Sequence, residues 1–331
     1  MTDVGSLAAE PLFGLPLPEL WFALLFAMLG TFLFLDGFDF GAGALFATRS
    51  DQEERETVLA AIGPFWDGNE VWLVVFGGAL FAAFPAVYAA LFSRHYLLMF
   101  AILGALILRG LAPEMYEQRH DAAWQRWWGR AFVAGSVLAP LLLGAFVGNW
   151  VAGSPRSVTL TGALVGATVV ALTVVSGTAF LRLKSRGRLR TEIRRYGEGA
   201  VVIYLVGVLA SLGSLSSALG TGAVTSGPVL ALVGLSVGLA VGYVLALRAG
   251  RDLLALAASA VLTYGLVAVV ALLMYPAIDP ASGLTVAEGI VSVLPLNLMS
   301  IGAALLLPLV TTYFVVLYSA FSGPAEPSEA Y

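Results

Sequence analysis

The chain has 331 residues, 59% of them apolar and 11% charged, with a formal net charge of −4 and a mean hydropathy of +0.91. A soluble domain carries about 25% charged residues, so this composition excludes an ordinary soluble fold. The absence of cysteine excludes disulfides, thiolate metal sites and haem attached through a CxxCH motif.

Residues 1–19 contain no Lys or Arg but include Asp3, Glu10 and Glu19. They lack the basic start of a signal peptide, and the expectation is a short external segment followed by a retained first helix. Nine apolar stretches follow, at 20–46, 58–82, 86–108, 128–150, 158–181, 200–219, 229–247, 253–274 and 290–321. Each is long enough to cross a hydrocarbon core of roughly 30 Å as a helix, and helix is required because amides in lipid must be satisfied within the segment. Pro85, the Gly153-Ser154-Pro155 run and the stretches 220–228 and 276–283 supply turns between them. The last stretch is long enough to tilt. The expectation is an all-α integral membrane protein with one polytopic domain over 20–322. Nine helices divide into two four-helix bundles plus one peripheral helix, and residues 323–331 read as a disordered tail.

Orientation follows from the basic residues. With the N-terminus outside, fifteen of the seventeen Lys and Arg fall in inner loops, seven of them between Arg182 and Arg195, leaving Arg94 and Arg156 outside. The positive-inside rule then puts the C-terminus in the cytoplasm. The run from Arg182 to Arg190 also fits a lipid or nucleic-acid patch. A topology-fixing loop is the stronger reading, and no nucleic-acid partner is expected.

The chemistry concentrates in the first two stretches. Asp36 and Asp39 stand at i and i+3 near the inner end of the first, and Asp67 and Glu70 repeat that spacing in the second. An acid at a helix centre costs about 2.5–3.5 kcal/mol, so four facing lipid cost on the order of 10 kcal/mol and must face protein or water. For Asp36 and Asp39, capping or pairing with Arg49 or Arg109 competes with a proton-carrying role. Asp67 lies about ten residues, roughly 15 Å, into a continuous second helix, which favours proton movement, with Glu70 sharing its proton. Gly37, Gly41 and Gly77-Gly78 read as helix-packing surfaces, and Trp66 and Trp72 as packing or interface residues before cofactor contacts.

Two histidines, His95 and His120, fall on opposite sides by this topology, and no HExxH or phosphate-binding loop is present. No metal site and no haem ligand is expected in this chain.

The segments Leu35-Asp36-Gly37-Phe38-Asp39-Phe40-Gly41-Ala42-Gly43 and Gly63-Pro64-Phe65-Trp66-Asp67-Gly68-Asn69-Glu70-Val71-Trp72 resemble the paired signatures of cytochrome bd subunit II. Gly77 to Pro85 with Tyr88 extends the likeness, as do Arg109 and Glu114. Tyr275-Pro276, Leu296-Asn297 and Pro308 fit more loosely. The resemblance implies a subunit of a quinol:oxygen oxidoreductase of the aerobic respiratory chain that binds none of the haems. Haems b and d belong to a larger partner, subunit I. It implies a cytoplasmic proton-uptake path through Asp67, with Asp36, Asp39, Glu70 and Glu114. Trp66, Asn69, Trp72 and Arg109 are supporting positions or contacts for oxygen or quinone. A structural quinone and a small single-helix accessory subunit occur in the family, and the short loops here leave both open. The competing class is a secondary transporter that couples protons or cations through the same acids. Such proteins carry corresponding breaks in both halves, whereas these acids lie in one half only. A purely structural membrane partner is the third reading.

Overall fold

The computed structural model describes residues 10–325; residues 1–9 and 326–331, which include most of the expected tail and half of the expected N-terminal segment, lie outside the described residues. A short 3-10 turn, Leu12–Gly14, precedes α1, Leu17–Phe46. There follow α2, Gln52–Ile62, α3, Trp66–Ala83, α4, Pro85–Arg94, α5, Tyr96–Glu117, and α6, Ala122–Val151. The second half holds α7, Leu160–Lys184, α8, Gly187–Glu192, α9, Arg194–Leu219, α10, Thr221–Val224, α11, Gly227–Arg248, and α12, Asp252–Met274. A small antiparallel hairpin of β1, Ala277–Asp279, and β2, Leu284–Thr285, leads into α13, Val286–Gly289, and α14, Val293–Ala320.

Eight helical segments among the described residues are long and apolar enough to cross a membrane: α1, α5, α6, α7, the α8–α9 run, α11, α12 and α14. Two expected spans differ from the sequence reading. The expected helix over 58–82 is interrupted at Gly63, Pro64 and Phe65, where Pro64 brings no amide to the ladder and α3 restarts on the Phe65 carbonyl. The expected helix over 86–108 breaks at His95, and α5 then runs on to Glu117. Arg109 and Glu114, assigned to an inner loop, therefore sit within α5, and Arg126 and Arg130 lie within α6.

The fold is centred on α7, which packs against α1, α6, α9 and α12, with α1 its broadest neighbour on the acid-bearing side. Close approach follows from small residues. A Cβ placed on Gly41 would lie 1.8 Å from the Thr173 carbonyl oxygen, and one on Gly177 would lie 2.5 Å from the Gly41 backbone, so α1 and α7 meet backbone to backbone. Gly144 and Gly166 bring α6 and α7 together in the same way. The helix faces turned away from these contacts are apolar and exposed, as Val202, Ile203 and Val206 on α9 and Leu305, Leu309 and Val316 on α14 show. α14 is the most peripheral helix, burying only Leu296 and Asn297 along its length.

The loops on the side opposite the acids are fixed by polar contacts. Arg94 donates from both terminal nitrogens to the Asp279 carboxylate at 2.9 and 3.0 Å, and Ser282 adds a third hydrogen bond at 2.7 Å. Trp150 Nε1 donates to the Ile278 carbonyl at 2.9 Å, tying the hairpin to the end of α6. Burial pushes the Asp279 carboxyl up, but the hydrogen bonds from Arg94 and Ser282 outweigh it and hold the group below the usual carboxylate value.

Candidate functional site

Three helices supply a buried charged cluster. Asp36 and Asp39 come from consecutive turns of α1, which places both on the face directed at α3 and α5. Arg109 arrives from α5, where its Cα can come close because Gly135 of α6 has no side chain; a Cβ there would lie 2.5 Å from the Arg109 backbone nitrogen. Arg109 Nη2 donates to Asp36 Oδ1 at 2.7 Å and lies 3.4 Å from Asp39 Oδ2. Its Nη1 donates to Glu70 Oε2 of α3 at 3.2 Å. The guanidinium carbon stands 5.2 Å from the Phe40 ring centre and 5.3 Å from that of Trp66, so two aromatic faces complete its surroundings.

A polar chain continues from this cluster. Asn69 Nδ2 donates to Asp39 Oδ2 at 2.8 Å and to the Leu35 carbonyl at 3.3 Å, while its Oδ1 accepts from the Tyr318 hydroxyl of α14 at 2.8 Å. Tyr318 is held by stacking on Phe65, with ring centres 4.5 Å apart. Asp36 and Asp39 are fully buried, as is Asn69, and Arg109 is 1% exposed, whereas the Glu70 side chain is 30% exposed and forms the open edge of the cluster. One guanidinium faces three carboxylates. The net negative charge that results in a low-dielectric interior requires balance by a proton or by a cation from outside the chain. Asp36 Oδ2 and Asp39 Oδ1 are buried with no hydrogen-bond partner among the described residues, so each retains an acceptor position inside the cluster.

The remaining sequence candidates are placed differently. Asp67 is not deep in a continuous helix: the break at Gly63 to Phe65 makes it the second residue of α3, with its side chain on the exposed face and no hydrogen bond among the described residues. Glu70, expected to share a proton with Asp67, turns to Arg109. Glu114 is also exposed, on the outer face of α5 near Leu111. Trp66 covers Gly110 as well as Arg109. Trp72 is buried with its ring 6.0 Å from Phe314, and its Nε1 has no partner among the described residues. Of the two earlier arginine candidates, Arg109 meets Asp36 and Asp39, and Arg49 pairs with Glu54 and Glu192. Tyr318 was not anticipated; it lies 249 residues from Asn69 and no local pattern marks it.

Towards the opposite end of α3 lies an apolar cavity of about 390 Å³, lined by Leu29 and Phe32 of α1, Leu73 of α3, Phe92 of α4, Leu103 of α5 and Phe146 of α6. His95 is fully buried against Phe146, and His120 is exposed in the loop before α6. Among the described residues, no group of three or more His, Cys, Asp or Glu side chains is positioned to hold a metal ion.

The family model for cytochrome bd terminal oxidase subunit II matches residues 17–321. This chain belongs to that family. It is 31% identical over 326 residues to cytochrome bd ubiquinol oxidase subunit 2 of Bacillus subtilis strain 168, covering 92% of this chain and 96% of that protein. It is 33% identical over 205 residues to cytochrome bd-I ubiquinol oxidase subunit 2 of Escherichia coli K12, a match that spans 54% of that relative's length. The bd oxidase structure from Geobacillus thermodenitrificans is similar in fold, with a TM-score of 0.70, 16% identity, and coverage of 92% of this chain and 98% of that one. As a bd-family subunit II with multiple apolar helices, the chain is a multi-pass membrane protein.

Proposed function

We propose that the chain is the haem-free subunit of a bd-type quinol oxidase, and that its buried carboxylates belong to a route for protons from the cytoplasm to the oxygen-reducing centre. The observation that carries this reading is the Asp36–Asp39–Glu70–Arg109 cluster in a member of the subunit II family: three acids, one base and two buried unpartnered carboxylate oxygens, open at Glu70.

The haems would reside in a partner, subunit I, and would pass the electrons of quinol to oxygen; what this chain supplies is proton handling and support. Asp67 receives a proton at the exposed start of α3, and Glu70, one turn further along the same helix, stands between it and Arg109. Arg109 fixes the carboxylates of Asp36 and Asp39, and Asn69, itself held by Tyr318, donates to Asp39 Oδ2 on the other side, so that a proton moves among oriented oxygens. Glu114 provides a second exposed acid on α5. Trp66 shields Arg109, and Trp72 stands where α3 turns from the polar cluster towards the apolar cavity, which has the size and lining for oxygen or a quinone tail.

The partner's seat follows from the same helices. Asp67 and Glu114 are carboxylates on otherwise apolar exposed faces, beside Val71 and Val74 on α3 and Ile107 and Leu111 on α5. A carboxylate on a face turned towards lipid is unfavourable, so subunit I covers this side. α3 is 18 residues long, about 27 Å, and we assign it as a ninth crossing with its polar first turn at the inner boundary. The arrangement is then α1, α3, α5 and α6 in one bundle, α7, α9, α11 and α12 in the other, and α14 at the periphery. The N-terminus is outside and the C-terminus cytoplasmic.

Purification from native membranes tests this reading. The chain is expected to co-purify with a larger haem-bearing membrane protein whose reduced spectrum shows b and d haems. A stable haem-free protein that transports ions or protons alone would replace it with the transporter reading.

A further inference from the structure

We propose that the end of the bundle where α7, α8 and α12 meet binds the phosphate of an anionic phospholipid headgroup. A cavity of about 620 Å³ opens there, with Arg182, Arg186, Arg190 and Arg251 around it and one acid, Asp252. Asp252 is already engaged: Arg182 Nε donates to Oδ1 at 2.7 Å, and Arg190 donates to Oδ2 from Nη2 at 2.6 Å and from Nε at 3.0 Å. Arg182 is further fixed by its bonds to the carbonyls of Arg190 and Leu247. Arg182 and Asp252 are buried and Arg190 lies half-exposed over them, so the engaged triad forms the floor. The side chains of Arg186 and Arg251 stand at the rim, exposed, and neither forms a hydrogen bond or ion pair with another described residue. Among the described residues, the cavity therefore presents three more positive than negative charges, two of them without a counterion, and guanidinium forks match phosphate oxygens.

The rim distinguishes a lipid from a free anion. Leu253 and Leu254, at the first turn of α12, are exposed and line the same cavity, where the apolar helix surface begins. A headgroup phosphate seated on Arg186 and Arg251 lays its acyl chains along that surface, and a basic pocket between membrane helices is a recurring seat for such lipids. The leaflet is the cytoplasmic one by the proposed orientation; the site itself rests on the local geometry and not on the oxidase assignment.

Native mass spectrometry of the protein, purified in detergent in the assembly the membrane yields, reads the site directly. Phosphatidylglycerol is expected to bind at least tenfold more tightly than phosphatidylcholine, with no displacement by millimolar inorganic phosphate. The double variant Arg186→Gln and Arg251→Gln is expected to weaken phosphatidylglycerol binding about 25-fold, at roughly fivefold per arginine. The control pair Arg188→Gln and Arg195→Gln, outside the cavity, is expected to leave it unchanged. Equal binding of the two lipids, or equal loss in both variant pairs, would overturn the proposal in favour of diffuse surface charge. Displacement by inorganic phosphate would overturn the lipid assignment and make the pocket a site for the free anion.

Discussion

Arg109 is the residue on which the charged cluster depends, because among the described residues it is the one base in contact with Asp36, Asp39 and Glu70. Removing it leaves two fully buried carboxylates without a cation, a change that costs about 3–5 kcal/mol when a buried pair is broken. Arg109→Gln is therefore expected to lower accumulation of the complex in membranes sharply, measured by immunoblot and haem content. Adding Asp36→Asn is expected to restore part of the loss, since the second change removes an orphaned charge. Recovery absent from the double variant would mean that Arg109 acts through packing on Phe40 and Trp66. Asp279 makes a separate prediction. Its carboxyl is held below the usual value, so the bonds to Arg94 and Ser282 stabilise the fold above the unfolded carboxylate value near 4 and that contribution disappears as pH falls through the lower folded value. Asp279→Asn is expected to cost about 2 kcal/mol at neutral pH and progressively less as the pH falls through the folded value, visible as melting curves that converge on acidification. Legibility varies at this scale. The two motifs that carry Asp36, Asp39, Asn69 and Glu70 were plain in the sequence, because acids in apolar stretches stand out energetically. Tyr318 was invisible, because only tertiary packing brings it to Asn69.

The helices show where a hydropathy reading stops. Long apolar runs such as α6, α7 and α12 were legible within a few residues at most boundaries, since lipid leaves the backbone no alternative to helix. The breaks at Gly63 to Phe65 and at His95 were not, because an average over twenty residues passes across one proline or one residue with φ −111 and ψ 29. That error moved Asp67 from a helix interior to a helix start and Arg109 from a loop into a helix. Glycine roles also divide by tertiary contact. Gly41 sits against Thr173 and Gly177, whereas Gly77 and Gly78 have open space beside them in this chain. Gly41→Val is expected to abolish stable accumulation by forcing α1 from α7, while Gly78→Ala is expected to leave it intact; purified yield and thermal stability read both. Tolerance of Gly41→Val would show that the two helices do not approach as described.

At the scale of the whole molecule, the account rests on the exposed carboxylates of α3 and α5 being covered by subunit I and facing a cytoplasmic proton supply. Side-specific labelling of single cysteines at Arg188 and Gly222 is expected to find the first from the cytoplasmic side and the second from the outside; the reverse would place the acids at the wrong surface for uptake. The central claim, that this chain's acids carry protons for oxygen reduction, is tested most directly by turnover per haem d in Asp67→Asn across pH. The Asp67 side chain makes no hydrogen bond among the described residues, so the amide removes the titratable group without breaking a hydrogen bond of this chain. The expected result is normal haem content with quinol oxidase turnover reduced tenfold or more, partly restored in Asp67→Glu. Full turnover and full proton uptake in Asp67→Asn, at every pH where the parent works, would contradict the account.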